Sequence, residues 1–196
     1  MATNDSDNLK PQTDIDDAAC FDNIYRAHVQ DMYSYGIRLG IPADTAEDFI
    51  QDIFVRLLLN PGRISEVKNM KAYLMFAMKN HWQNHLRDSK HLVDITDKGA
   101  DFSVEESALD CIIDNEERAR VSKRLNRMLT ALTPRQREAV FLRYIYGLPY
   151  EDVAQLLEMS IPSARNIVSR ALRQMRNCDS EALMFFYFFF HFFMRG

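Results

Sequence analysis

The stretch that decides the fold covers residues 132–176 and reads LTPRQREAVFLRYIYGLPYEDVAQLLEMSIPSARNIVSRALRQMR. Thr133 is a favourable helix N-cap with a proline directly after it, and Gly147 lies where this helix is expected to end. A second, short helix is expected from residues 149–150, because a chain approaching Pro162 cannot stay helical. The third helix is then expected to begin at residues 162–163.

The third helix has two chemically different sides at the helical period. The apolar side is expected to pack, and it consists of Ala164, Ile167, Val168, Ala171 and Met175. Two short helices joined by a tight turn, with arginine, asparagine and serine facing outward on the second, match a helix-turn-helix that enters the DNA major groove. The predicted DNA contacts of this segment are Arg143, Ser163, Arg165, Asn166, Ser169, Arg170 and Arg173. The alternative is a three-helix packing unit with a charged exterior.

Charge is arranged in blocks along the chain, although the net charge is only -4. Residues 93–117 hold one lysine and nine acids, whereas residues 118–178 hold twelve basic and four acidic side chains. An acidic, weakly apolar stretch between two apolar-rich segments predicts a solvated linker. The basic excess after it suits contacts with phosphates. The predicted segments are an acidic tail at 1–20, helical domains at 21–92 and 118–178, the linker at 93–117 and a Phe-rich tail at 179–196.

The composition indicates a globular all-α protein. Apolar residues make up 47% and charged residues 27% of the chain, and six glycines and six prolines are too few for a turn-rich sandwich or barrel. Cys20, Cys111 and Cys178 are too far apart for a disulfide framework or a CxxC zinc site. The first twenty residues lack the pattern of a secretory signal, so a cytoplasmic location is expected.

No catalytic motif is apparent, and the sequence predicts neither an enzyme nor a cofactor. There is no Walker loop, GxSxG or Gly-rich phosphate cradle. His81 and His85 lie four residues apart, but Trp82 follows His81 where HExxH has glutamate, so no metal site is predicted.

Residues 44–59 form an amphipathic helix with an unusual outer side. The inner stripe is Ala46, Ile50, Ile53, Phe54 and Leu57. The opposite side gathers acids and amides around one apolar residue, which suits a basic protein partner: Asp48, Gln51, Asp52 and Val55. An ordinary solvated helix face is the alternative.

The next helical stretch, from Lys68 to Arg87, interleaves aromatic rings with cations and amides. Tyr73, Phe76 and Trp82 are the aromatic residues. Rings that stack on bases beside cations that follow phosphates are typical of single-stranded DNA binding, while core packing is the alternative. The candidate DNA contacts are Lys68, Lys71, Lys79, Asn80, Asn84 and Arg87.

The segments at 44–58, 73–87 and 132–176, in this order across an acidic linker, resemble regions 2 and 4 of bacterial extracytoplasmic-function (ECF) sigma factors of the sigma-70 family. The resemblance covers roughly residues 20–177 and implies two helical domains that bind core RNA polymerase and promoter DNA. It implies that Asp48, Gln51 and Asp52 dock on the clamp helices of the polymerase β′ subunit. Region 4 would bind the β flap.

The same resemblance implies the division of promoter contacts. Region 2 would melt and read the −10 element, capturing an unstacked base in the loop at about residues 61–71, near Lys79, Asn80 and Asn84. Region 4 would read the −35 element through Arg165, Asn166, Ser169 and Arg170. Pro149 replaces the usual serine, and Glu158 stands at the turn where glycine is common.

The Phe-rich tail, with seven phenylalanines in residues 182–194, lies outside this resemblance. Three roles remain open for it: docking on its own domains, binding an anti-sigma factor, or shallow insertion at the inner membrane. Two rival functions for the chain are a one-component helix-turn-helix regulator and a helical adaptor that sequesters a protein partner.

Overall fold

A computed structural model describes residues 12–90, 102–103 and 116–178 of the chain. Within these ranges it consists of eight α-helices without a β-strand, which confirms the all-α prediction. The helices are α1 (Gln12–Arg38), α2 (Ala43–Leu58), α3 (Gly62–Glu66), α4 (Met70–Lys90), α5 (Glu116–Thr130), α6 (Pro134–Val140), α7 (Tyr150–Leu156) and α8 (Ile161–Cys178). A π-helical turn, Phe141–Ile145, continues α6.

Helices α1, α2 and α4 pack around one apolar core and form the first domain with the short α3. The whole α2 stripe that the sequence predicts to be inside is buried: Ala46, Ile50, Ile53, Phe54 and Leu57. Its core partners on α1 and α4 include Met32, Tyr35, Leu74, Met75 and Met78. Gly40, at a φ of 80°, ends the turn after α1 in a conformation that favours glycine. Because the inner stripe of α2 is buried, the outer side of this helix faces solvent.

Helices α5 to α8 form the second domain, and its local structure follows the sequence closely. The Thr133 hydroxyl accepts the backbone N–H of Gln136, and the Gln136 side chain accepts the backbone N–H of Thr133, which completes a capping box. Gly147 takes a φ of 71° and α7 starts at Tyr150. Helix α8 starts at Ile161, slightly earlier than predicted. The helix-turn-helix prediction is therefore confirmed as a fold.

Helices extend into two segments that the charge pattern assigned to a tail and a linker. Helix α1 already begins at Gln12, within residues 1–20, and α5 begins at Glu116, within residues 93–117. The Phe-rich tail at 179–196 lies outside the described residues.

The two domains pack against each other along a domain interface centred on Tyr35 and Phe102. The Tyr35 hydroxyl donates a hydrogen bond to Glu138 Oε1 at 2.8 Å. The Phe102 ring is 1% exposed, and its centre lies 6.2 Å from that of Tyr35 and 5.4 Å from that of Phe141. The backbone N–H of Ser103 donates to the Arg38 carbonyl at 2.8 Å. The prediction of a solvated linker is wrong at Phe102, because a large apolar ring gains free energy by leaving water.

None of the helices in the described part of the chain is both long enough and apolar enough to cross a lipid bilayer. The same residues contain no group of three or more histidine, cysteine or acidic side chains that could hold a metal ion.

Candidate nucleic-acid and protein interfaces

The outer side of α2 forms an exposed acidic surface, the α2 face, consisting of Asp48, Gln51, Asp52 and Val55. Val55 is 52% exposed although it is apolar. Leu58 and Leu59, which are 52% and 75% exposed, continue the apolar side of the face beyond it. The burial of the opposite stripe holds the helix rigidly, so the acids and Val55 are presented together. Exposed apolar side chains beside charged ones are typical of protein-binding surfaces.

A cleft of about 490 Å³ opens between α2, α3 and α4. Two aromatic side chains, Tyr73 and Phe76, line it together with the amides of Asn80 and Asn84. Tyr73, Phe76 and Trp82 all pack against the core, as the alternative expects, and Tyr73 and Phe76 also line the cleft; stacking on DNA bases stays a prediction. Rings and amides in one concave site can stack on an unpaired base and bond to its edge.

Cationic side chains at the rim of this cleft escaped the sequence analysis. Arg56 and Arg63 line the cleft, as does the amide of Asn60. Arg56 lies on the last turn of α2 and Asn60 just after it. They follow Ile53, which also lines the cleft, by three and seven positions, a spacing that places them on the same side of the helix. These residues could have been found by extending the α2 helical period to its end.

His81 lies in the cleft beside these arginines. Burial, followed by the nearby charge of Arg56, lowers the pKa of His81. Its ring centre is 5.4 Å from that of Phe49. A lowered pKa favours the neutral imidazole, so His81 can act as a stacking and hydrogen-bonding group rather than as a cation.

The predicted lysines do not join Asn80 and Asn84 in the cleft. Lys71 forms an ion pair with Asp31 at 2.8 Å, and Lys79 forms one with Glu138 at 2.8 Å across the domain interface. Lys68 lines a second cavity of about 290 Å³, which the second domain walls with Asp152, Gln155 and Leu156. Arg87 is exposed near the end of α4. Of the six candidate residues, Asn80 and Asn84 line the cleft. Lys71 and Lys79 are held in ion pairs, Lys68 borders the second cavity, and Arg87 is exposed near the end of α4.

Helix α8 presents one exposed polar surface, the α8 face, as predicted. Its members are Ser163, Arg165, Asn166, Ser169, Arg170 and Arg173. The opposite side of the helix, with Ala164, Val168, Ala171 and Met175, is buried. Glu158 takes a φ of 51° in the turn before α8, where the backbone N–H of Met159 donates to the Ala154 carbonyl at 2.9 Å. The tight turn leaves the start of α8 protruding and accessible.

A tyrosine missed by the sequence analysis organises the start of this surface. The Tyr150 ring lies under two guanidinium groups, that of Arg143 at 4.8 Å and that of Arg165 at 5.4 Å from the ring centre. Arg143 also donates to the Leu148 carbonyl at 2.9 Å. The cation–π contact restricts the orientation of the Arg165 side chain. Arg143 is half-buried and held against the loop, next to the first residues of the α8 face.

Comparison with known families gives two matches. The pattern described as "Sigma-70 region 2" matches residues 24–91, and that described as "Sigma-70, region 4" matches residues 122–175. The first match contains the α2 face and the cleft, and the second contains α7, the tight turn and α8.

Several known proteins with similar sequences are ECF RNA polymerase sigma factors. The chain is 22% identical over 157 residues to the ECF RNA polymerase sigma factor SigM of Bacillus subtilis, covering 79% of this chain and 92% of SigM. It is 26% identical over 161 residues to the ECF RNA polymerase sigma factor BldN of Streptomyces coelicolor, covering 80% of this chain and 59% of BldN.

Among solved structures, the fold resembles the sigma factor RpoE of Bartonella quintana, determined in complex with the anti-sigma factor NepR. The TM-score is 0.57 at 22% sequence identity, and the match covers 81% of this chain and 95% of that one. At this level of identity the likeness concerns the fold.

Proposed function

Because this chain belongs to the ECF sigma factors of the sigma-70 family and thus directs RNA polymerase to promoters, we propose that its three exposed surfaces divide that work. The α2 face binds the clamp helices of the polymerase β′ subunit. The cleft captures an unstacked base of the −10 element, and the α8 face reads the −35 element while the second domain contacts the β flap. The chain acts by binding, without catalysis or a cofactor, in the cytoplasm.

The observation that carries this proposal is the separation of the α2 face from the α8 face. An acidic surface with an exposed valine lies on the first domain, and a surface of arginine, asparagine and serine lies on the second. Acidic surfaces repel DNA and suit a basic protein, whereas arginines with amides suit base edges and phosphates. A protein with both surfaces can hold a polymerase and a duplex at once.

Reconstitution tests the proposed function directly. Purified chain added to core RNA polymerase should produce transcripts that start at defined sites on genomic DNA, and core polymerase alone should not. The same experiment supplies promoters for the variants below. Tight and specific duplex binding by the free chain, without any effect on polymerase, would instead support a one-component regulator.

We expect the amides that line the cleft to act in promoter melting and not in polymerase binding. In a variant with Asn80→Ala and Asn84→Ala, we expect open-complex formation to fall about tenfold, since the variant loses two side chains that bond to a captured base and each such hydrogen bond contributes about 0.5–1.5 kcal/mol. Permanganate reactivity of unpaired thymines in the −10 region measures this. Asn23→Ala with Gln30→Ala, two exposed amides of α1 that do not line the cleft, is the matched control. Unchanged permanganate reactivity in the double variant would show that the cleft is not used.

Tyr150 is proposed to position Arg165 for −35 recognition. With Tyr150→Leu we expect affinity for −35 DNA to fall about threefold, because an exposed cation–π contact contributes about 0.5–1 kcal/mol. Competition between promoter fragments for holoenzyme measures the effect. Tyr150→Phe keeps the ring and should restore recognition. If phenylalanine and leucine weaken binding equally, the ring does not act through the arginines.

An anti-sigma factor is the proposed regulatory partner. The structure that this fold resembles contains such a protein bound to its sigma factor. The Phe-rich tail lies outside the described residues. Its three predicted roles, docking on its own domains, binding that partner or inserting at the inner membrane, stay predictions.

A further inference from the structure

The cleft of the first domain has two chemically different walls. The end of α2 and the start of α3 form one wall, which carries Arg56, Asn60 and Arg63. Helix α4 forms the other wall, which carries rings and amides: Tyr73, Phe76, Asn80, His81 and Asn84. Among the described residues that line the cleft there is no aspartate or glutamate. The positive charge of the cleft therefore lies on one side, and the groups that can stack on a base or bond to its edge lie on the other.

Both arginines of the first wall are available to a ligand. Arg56 and Arg63 are exposed, and within the described part of the chain neither guanidinium forms an ion pair or a side-chain hydrogen bond. The lysines that the sequence suggested as DNA contacts differ in this respect, because Lys71 and Lys79 are held in ion pairs. An exposed, unpaired guanidinium at the rim of a cavity keeps its fork of N–H donors free for an anion.

Hydrogen bonds hold the two arginine positions together. Asn60 Nδ2 donates to the Arg56 carbonyl at 3.0 Å, and the backbone N–H of Arg63 donates to the Asn60 carbonyl at 3.0 Å. The backbone N–H of Ile64 donates to the Pro61 carbonyl at 3.0 Å as well. The turn from α2 to α3 is thus fixed by its own bonds, and a site whose backbone is already ordered loses less conformational entropy on binding.

We propose that Arg56 and Arg63 bind the backbone phosphates on the two sides of the captured nucleotide, so that the cleft holds the base against α4 and the phosphates against the turn from α2 to α3. This inference rests on the proposed role of the cleft in capturing a base of the −10 element. Guanidinium groups match the geometry of phosphate oxygens, and proteins that bind single strands combine cations along the backbone with rings beside the bases. Since phosphate contacts fix the register of a strand, the two arginines determine which nucleotide reaches the amides.

Uncharged phosphates test this assignment in the holoenzyme. The ligand is a labelled single-stranded oligonucleotide with the −10 sequence of a promoter mapped by reconstitution, in which one phosphate at a time is replaced by a methylphosphonate. With the unmodified chain, replacing either phosphate beside the captured nucleotide should lower affinity about tenfold, the loss expected for one hydrogen bond to a charged group. With Arg56→Gln and Arg63→Gln, the same replacements should lower affinity by less than about twofold, because the partner is already gone. Equal losses in both proteins at every phosphate overturn the proposal.

Arg26→Gln with Lys123→Gln is the matched control for this variant. It removes the same charge from two exposed side chains that line neither the cleft nor the α8 face, so it should keep the full effect of each methylphosphonate. Circular dichroism should show equal helicity in both double variants, because all of the substituted side chains are exposed.

Salt dependence gives a second, independent measurement. In a plot of log affinity against log salt concentration, the slope for the oligonucleotide should become shallower by about 1.4 in the arginine variant, since each phosphate contact to a single strand contributes about 0.7 to the slope. The control variant should keep the slope of the unmodified chain. An unchanged slope with an altered preference for the captured base would mean that the arginines read the base, which overturns the phosphate assignment.

A series of abasic oligonucleotides separates this inference from the proposed function. With the unmodified chain, removing one particular base of the −10 element should lower affinity, which identifies the captured nucleotide. If no abasic position matters, base capture by the cleft fails, while the salt slopes still test the arginines. If one position matters but the arginine variant keeps the slope and the methylphosphonate losses of the unmodified chain, the phosphate assignment alone is wrong.

Discussion

A chain carrying Asp48→Arg and Asp52→Arg is expected to lose its binding to core RNA polymerase. Both acids are exposed on the α2 face beside Val55, and the proposed partner surface is basic, so each substitution replaces an attraction by a repulsion. Like charges brought together at an interface cost several kcal/mol, which corresponds to a loss of affinity of about a hundredfold or more. Titration of labelled core polymerase with the purified variant measures this loss.

The control for this prediction lies on other helices. Glu66 of α3 and Asp88 of α4 are exposed away from the α2 face, so Glu66→Arg with Asp88→Arg, the same change of charge, should retain most of the affinity. Circular dichroism should show equal helicity in both variants, because none of these acids belongs to the buried stripe. Full affinity of the double variant would place polymerase binding elsewhere. If the unmodified chain itself fails to bind, the assay on a chain ending at residue 181 distinguishes masking by the tail from an incorrect assignment.

Arg165→Ala with Asn166→Ala should abolish transcription from promoters that depend on a −35 element. Each bidentate contact to a base contributes about 1–3 kcal/mol of discrimination, so losing two lowers promoter occupancy by about a hundredfold. Stability should change little, because both side chains are exposed and such substitutions usually stay within about 0.5 kcal/mol. Run-off transcription with reconstituted holoenzyme measures the loss.

Asn177→Ala, also exposed on α8 but near its end, is the matched control and should transcribe normally. The double variant should still bind core polymerase, since the α2 face is intact. Transcription at the unmodified level in the double variant would exclude base reading by the α8 face and favour the helical adaptor.

Much of this protein could be predicted from patterns within single helices. The Thr133 cap, the buried stripe of α2 and the division of α8 into a buried and an exposed side all follow from local side-chain chemistry and the helical period. Each depends on residues within a few turns of one another, and burial of one side of a helix leaves the other side exposed. For this reason the α2 face and the α8 face were identified correctly as surfaces without coordinates.

Patterns within single helices could not predict the domain interface. Tyr35 and Glu138 are separated by 103 positions, and no period in either helix indicates that they meet. The sequence suggests that Lys79 is a free cation, yet it forms an ion pair across the interface. Phe102 stands in an acidic stretch of the sequence, yet its ring is buried in the interface. Local sequence determines which helices form and which side of each is apolar. Packing between distant segments determines which polar side chains remain available to DNA, because a neighbour's carboxylate can occupy them first.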